Sequence, residues 1–245
     1  MILSRIRKAL ADQNWLSVGI EFVIVVAGVL LAFQVSAWNE RRIDTARVGQ
    51  ALERLQLESE QTIQALRGRI ATDAERQAER ALLVEIAMGA ALTERNQPDF
   101  DRAVAQLMYF TLPPFRQNTY DALEQSGDLA LINDPDLITE LTRYQGHIGW
   151  VESQHASFRS GLTEFSERLS EFVAHRPTDD PRVTRVEVDL ERLRSEPRLT
   201  SAVVQIARMH AIFAHYIVQL EAHTVAFCQR LSEETGRPCD TGETE

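Results

Sequence analysis

Apolar and polar positions recur with helical period along most of the chain, but one stretch loses its polar positions. From Phe22 to Asn39 no charged residue occurs, and Trp15 and Trp38 bracket the run. The 23 steps between the two tryptophans amount to about 35 Å of α-helix, enough to cross a hydrocarbon core of about 30 Å with some tilt. The indoles then fall near the two interfaces, where amphipathic rings settle. Length and the paired tryptophans argue against a buried helix of a soluble core. Val35-Ser36-Ala37 has the small-residue form of a processing site, but Glu21 and the length of the run argue against a cleaved signal peptide.

Beyond the span the period of three and four returns. Val48, Leu52, Leu55, Ser59, Ile63, Leu66 and Ile70 form a stripe that predicts one core-facing helix. No proline precedes Pro98, so this helix can run from the membrane through Arg95, with Gly49, Gly68 and Gly89 as weak points. Asp99 is the expected N-cap of a helix through Phe110, ended by Pro113 and Pro114. A short helix starts over Asn118 to Leu123 and stops at Ser126-Gly127. Asp134 followed by Pro135 opens a long helix to about Ala174. A polar linker is expected over His175 to Pro181, then a short amphipathic element of undetermined type over Val183 to Leu193. Ser195 and Pro197 open a last helix, which runs to about Glu234 and stops at Gly236.

The expectation is an all-α fold with no repeats and no β pattern: one N-terminal transmembrane helix followed by a soluble bundle of long antiparallel helices. It divides into a basic amphipathic segment (1–14), the span (15–38), the bundle (39–235) and a polar tail (236–245). About 200 residues are enough for one core.

Charge adds the partners. Of 36 acidic and 26 basic side chains, three acidic and five basic ones precede residue 43. The bundle is therefore strongly acidic, which argues against nucleic acid. Ile2, Leu3, Ile6 and Leu10 can share a face beside Arg5, Arg7 and Lys8, which fits a segment lying on anionic lipid and equally an unstructured basic tail. Arginines 41, 42 and 47 follow the span, so basic residues balance across it. The amphipathic N-terminus and the cysteines set the expected orientation: N-terminus cytoplasmic, acidic domain periplasmic, in a bacterial inner membrane.

Within the span, Glu21, Val25, Gly28, Ala32, Ser36 and Asn39 keep to one stripe. Gly28, Ala32 and Ser36 form a small-xxx-small run that lets two membrane helices approach closely. Glu21 lies about 9 Å inside the Trp15 level by helical rise, where a carboxylate normally faces protein or water. Two readings stand: a docking face for another helix, identical or not, or a protonated Glu21 beside incidental small residues.

Glu21, Gly28, Leu31-Ala32-Phe33-Gln34-Val35 and Trp38-Asn39-Glu40-Arg41-Arg42 resemble an uncharacterised family of bacterial single-span membrane proteins. That family carries Gly-x-x-(Leu/Ile)-Ala-Leu-Gln and then Trp-Asn-Glu-x-Arg at the membrane exit; Phe33 stands where Leu is usual. Thr119 to Leu123, Ser126-Gly127-Asp128-Leu129, Leu131-Ile132, Asp134, Leu137 and Tyr144 resemble a second block of the same family, with Gln145 where a second Tyr is common. The resemblance implies a single span and brings no activity. By their own chemistry, Trp38 anchors the interface, Gln34 can bond across helices, and Arg41 and Arg42 can meet phosphates.

No set of residues in the sequence has the pattern of a known catalytic or metal site. Glu152-x-x-His155 has the spacing of half a di-iron site, but no second pair accompanies it. His210, His215 and His223 lack a Glu three residues before them. Cys228 and Cys239 either close a small disulfide loop across the Gly236 turn or remain two thiols; two are too few for structural zinc. No phosphate loop or Ser/His/Asp set occurs. No cofactor or metal and no enzymatic activity is expected. The expected role is a membrane-anchored interaction or scaffold protein, working with the lipid bilayer and a membrane-protein partner or a second copy. The alternative is a single-span ligand-sensing subunit that signals through a partner.

Overall fold

The computed structural model describes residues 15–177 and 184–242. The amphipathic segment expected over Met1 to Asn14 lies outside the described residues. The chain divides into two compact units, Met1–Gln50 and Ala51–Glu245. Among the described residues the fold is all-α apart from one small hairpin.

Helix α1 covers Trp15–Ala87. In its part beyond Gln50, Leu52, Leu55, Ser59, Ile63 and Leu66 are buried, as their spacing predicts. It stops eight residues short of Arg95. Gly89 adopts φ 116°, and the Ala90 N–H returns to Glu85 O at 2.9 Å, closing the helix as a left-handed cap does. The Arg194 guanidinium donates to Ile86 O at 2.9 and 2.8 Å, satisfying a carbonyl that the helix leaves over.

Helix α2, Gln97–Gln106, begins after Asn96 with Pro98 in its first turn. Asp99 is therefore inside the helix and pairs with Arg102, instead of capping it. The helix ends before Phe110 because the next residues turn away, and the carbonyls of Leu107 and Phe110 meet histidines rather than amides. Helix α3, Asn118–Ser126, has no cap from Gln117. Instead Glu58 of α1 accepts from the Thr119 hydroxyl at 2.9 Å and its N–H at 3.2 Å, placing a carboxylate at the helix start. Gly127, at φ 77°, ends α3 and leads into a 3₁₀ turn, Asp128–Leu131. Ile132 then plugs the corner.

Helix α4, Pro135–Ser170, is capped by Asp134, whose Oδ1 accepts from the N–H groups of Asp136 (2.9 Å) and Leu137 (3.0 Å). It stops before Ala174 because a strand begins. Strands β1, Val173–Pro177, and β2, Thr184–Val188, pair antiparallel with Val173 opposite Val188 and His175 opposite Val186. This overturns the linker and the absence of strand. A two-stranded ribbon is marginal alone; here β2 packs on α2 and Val186 is buried. The remaining residues of the expected linker, 178–181, lie outside the described residues, as do 182 and 183. Helix α5, Leu190–Ser195, is capped by Asp189, and α6, Pro197–Thr235, ends at Gly236 with φ 69°.

Helix α6 runs antiparallel to the second part of α1, where Arg67 meets Glu221 and Glu60 meets Arg237. It also runs antiparallel to α4, where Tyr144 stacks on Phe227 at 4.5 Å and Phe158 meets Phe213 edge-on at 6.2 Å. Phe213, Ile217, Leu220 and Phe227 fill the space between the three long helices.

Candidate functional site

The apolar run of α1 makes no core. None of its most apolar 18-residue window is buried, and Phe22, Val25, Leu31, Phe33 and Trp38 are all more than 60% exposed. Unbroken helix keeps Glu21, Val25, Gly28, Ala32, Ser36 and Asn39 on one stripe, and each is exposed. A Cβ built on Gly28 meets no atom within 4 Å. The exit residues Gln34, Trp38, Asn39, Glu40, Arg41 and Arg42 are exposed as well. They continue as helix through Arg47, which lies 3.6 Å from Asp44. The stripe and exit side chains are thus exposed among the described residues and contribute nothing to the buried core.

The two cysteines are paired. Cys228 and Cys239 form a disulfide with Cα atoms 5.8 Å apart, which settles the choice left open by the sequence. It folds the tail back onto α1. Gln56 Nε2 donates to Arg237 O at 2.8 Å, the Thr235 hydroxyl donates to Gln56 Oε1 at 2.5 Å, and Glu60 accepts from Arg237 and from the Asp240 N–H. Arg67 donates to Thr241 O. Residues 237–242 are therefore a docked strap; 243–245 lie outside the described residues. Among the described residues the one cluster of three metal-ligating types is Glu60 with Cys228 and Cys239, whose sulfurs are committed to each other.

Four of the six histidines form two contrasting pairs. His155 and His210 are structural: their Nε2 atoms donate to Phe110 O and Leu107 O, each at 2.9 Å. A carbonyl only accepts, so each ring carries its proton on Nε2. Burial pushes His210 down to about 4, which keeps it neutral in the core. Arg69 completes the clamp by donating to Thr111 O while its Nε donates to Asp73 at 2.7 Å. His155 is thus spent on the segment after α2, and Glu152 faces Gln117 at 3.4 Å, so the Glu152-x-x-His155 pair serves packing.

His147 and His223 differ. Their rings stack with centroids 3.7 Å apart and planes at 14°. They stand at a cleft of ≈ 410 Å³ between α4 and α6, lined also by Trp150, Tyr216 and Gln219. Trp150 meets Tyr216 edge-on at 4.6 Å. Sequence reasoning missed this pair because the two residues are far apart in the chain and belong to no common motif. No protein-family model, no curated protein and no solved structure matches the chain.

Proposed function

We propose that the chain is a single-pass membrane protein whose helical domain is an interaction or scaffold module. The observation that carries this reading is the exposed apolar window of α1, an area of large side chains far beyond what a soluble surface tolerates. The exit motif from Gln34 to Arg42, which resembles that of the uncharacterised single-span family, supports it. The exposed stripe from Glu21 to Asn39 supports a helix partner, identical or not, held in the bilayer.

The disulfide supports an oxidising compartment for the domain, since such bonds persist in the periplasm and rarely in a bacterial cytosol. The N-terminus is then cytoplasmic and the membrane the bacterial inner one. Fusions at the C-terminus test this: alkaline phosphatase should be active there and a fluorescent protein that matures only in the cytosol should stay dark. The reverse pattern would move the domain to the cytoplasm.

One observation favours the second reading, a ligand-sensing subunit working through a partner: the cleft of ≈ 410 Å³ between α4 and α6, whose lining includes the His147 and His223 imidazoles and the Gln219 amide.

A further inference from the structure

We propose that His147 and His223 form a two-imidazole site for a late first-row divalent cation, with Cu²⁺ held more tightly than Zn²⁺, at the mouth of the cleft between α4 and α6. This rests neither on the membrane anchor nor on the sensing role.

The contrast among the histidines carries it. His155 and His210 each commit a ring nitrogen to a backbone carbonyl. His147 and His223 commit none within the described chain; what they have is each other's ring face at 3.7 Å. Imidazole nitrogen is the commonest protein ligand for zinc-like and copper ions. Two imidazoles sharing one ion stand about 5 Å apart between centroids, given metal–nitrogen bonds of about 2.0–2.1 Å. The rings must therefore splay from their 3.7 Å stack, at two positions outside the close-packed core: His223 is exposed, His147 half-buried, and both line the cleft. The two helices hold the Cα positions, so little ordering cost falls on binding.

The lining decides the cation. Among the described residues no carboxylate lines the cleft, and its further oxygen donors are the Gln219 amide, one helical turn before His223, and the Tyr216 phenol. Mg²⁺ and Ca²⁺ need hard oxygen ligands and find no anionic one here. Nitrogen ligands favour the ions at the top of the stability order, Cu²⁺ above Zn²⁺. Two protein ligands leave coordination positions for water or for a small exogenous ligand entering the cleft.

The full chain in mild detergent, stripped by chelator, is titrated with Cu²⁺, Zn²⁺ and Mg²⁺. Trp150 at the cleft reports Cu²⁺ by fluorescence quenching, and the electron paramagnetic resonance spectrum reports the number of nitrogen ligands. Expected are one equivalent of tight Cu²⁺ with two nitrogens, weaker Zn²⁺ in competition, and no effect of Mg²⁺. His147→Ala and His223→Ala should each weaken Cu²⁺ by at least the ~10- to 100-fold that loss of an outer-shell partner alone costs. His215→Ala, an exposed histidine of α6 outside this cleft, should leave it unchanged. Circular dichroism identifies any variant that has failed to fold, and for that position the Gln variant replaces Ala. Equal Cu²⁺ affinity in the wild type and both cleft variants would overturn the site, as would an equal loss in His215→Ala.

Discussion

Arg237 Nη2 lies 2.9 Å from Glu60 Oε1 across 177 residues of sequence. The same carboxylate accepts from the Asp240 N–H at 3.0 Å, so one buried side chain of α1 holds both ends of the turn that carries Cys239. The disulfide shortens the loop that must close for this strap to dock. Cys239→Ser should lower stability by about 2–3 kcal/mol through loop entropy. Urea unfolding checks it: the midpoint should fall with little change of slope. Equal midpoints for the oxidised wild type and Cys239→Ser would mean that Glu60, Gln56 and Arg67 hold the strap unaided.

Acid should destabilise the domain through His210. Its folded value, about 4, lies below the ordinary 6.5, so between those limits the unfolded chain binds the extra proton. Stability is then fully present above pH 6.5 and is lost as pH falls toward 4. Between pH 7 and pH 5 the loss is on the order of 2 kcal/mol. His210→Gln can still donate to Leu107 O but does not titrate there, so its denaturation midpoint should change less over the same interval. An unchanged pH dependence would place the titrating group elsewhere.

The helices were legible because their signals are local. The stripe from Leu52 to Leu66, the Asp134-Pro135 start and the Gly127 and Gly236 stops all lie within a few residues of the feature they determine. Three errors share one cause. The apolar period alone carries α1 on to Arg95, Asp99 reads as the cap of a helix through Phe110, and the residues of β1 from His175 on read as linker, with β2 inside an element of undetermined type. In each case the deciding partner is remote: Arg194 on the last turn of α1, His155 and His210 on the residues after α2, and α2 beneath β2. The His147–His223 pair is of the same kind. Once Tyr144 is known to stack on Phe227, one antiparallel turn along each helix brings the two histidines together. The alternation of the sequence alone gives no such register.

Gly127→Ala isolates a backbone effect. An added Cβ meets no atom within 4 Å, yet φ is 77°. The cost should be about 1 kcal/mol from the left-handed conformation alone. Thermal unfolding checks it, with Gly146→Ala as the control: that glycine lies inside α4, free of positive φ, and alanine there should be neutral or stabilising.

The stripe in the apolar run is testable without disturbing the fold, because Gly28 has open space around it. Gly28→Ile or Ala32→Ile should weaken an association in the bilayer that Leu30→Ile leaves intact, since bulk holds two backbones apart and lipid offers no hydrophobic compensation. Glu21→Gln should be mild, whereas Glu21→Leu should cost about 1–2 kcal/mol if the carboxyl bonds across the interface. Crosslinking in native membranes reads the series. Identical behaviour of Gly28→Ile and Leu30→Ile would remove the stripe as an interface.

Alkaline carbonate washing of membranes that carry the full chain, followed by intact-mass analysis of the retained protein, tests the anchor most directly. An integral span predicts that the chain stays in the pellet with Met1, or a residue just after it, at its N-terminus. Release into the wash, or a mature N-terminus at Trp38, would contradict it.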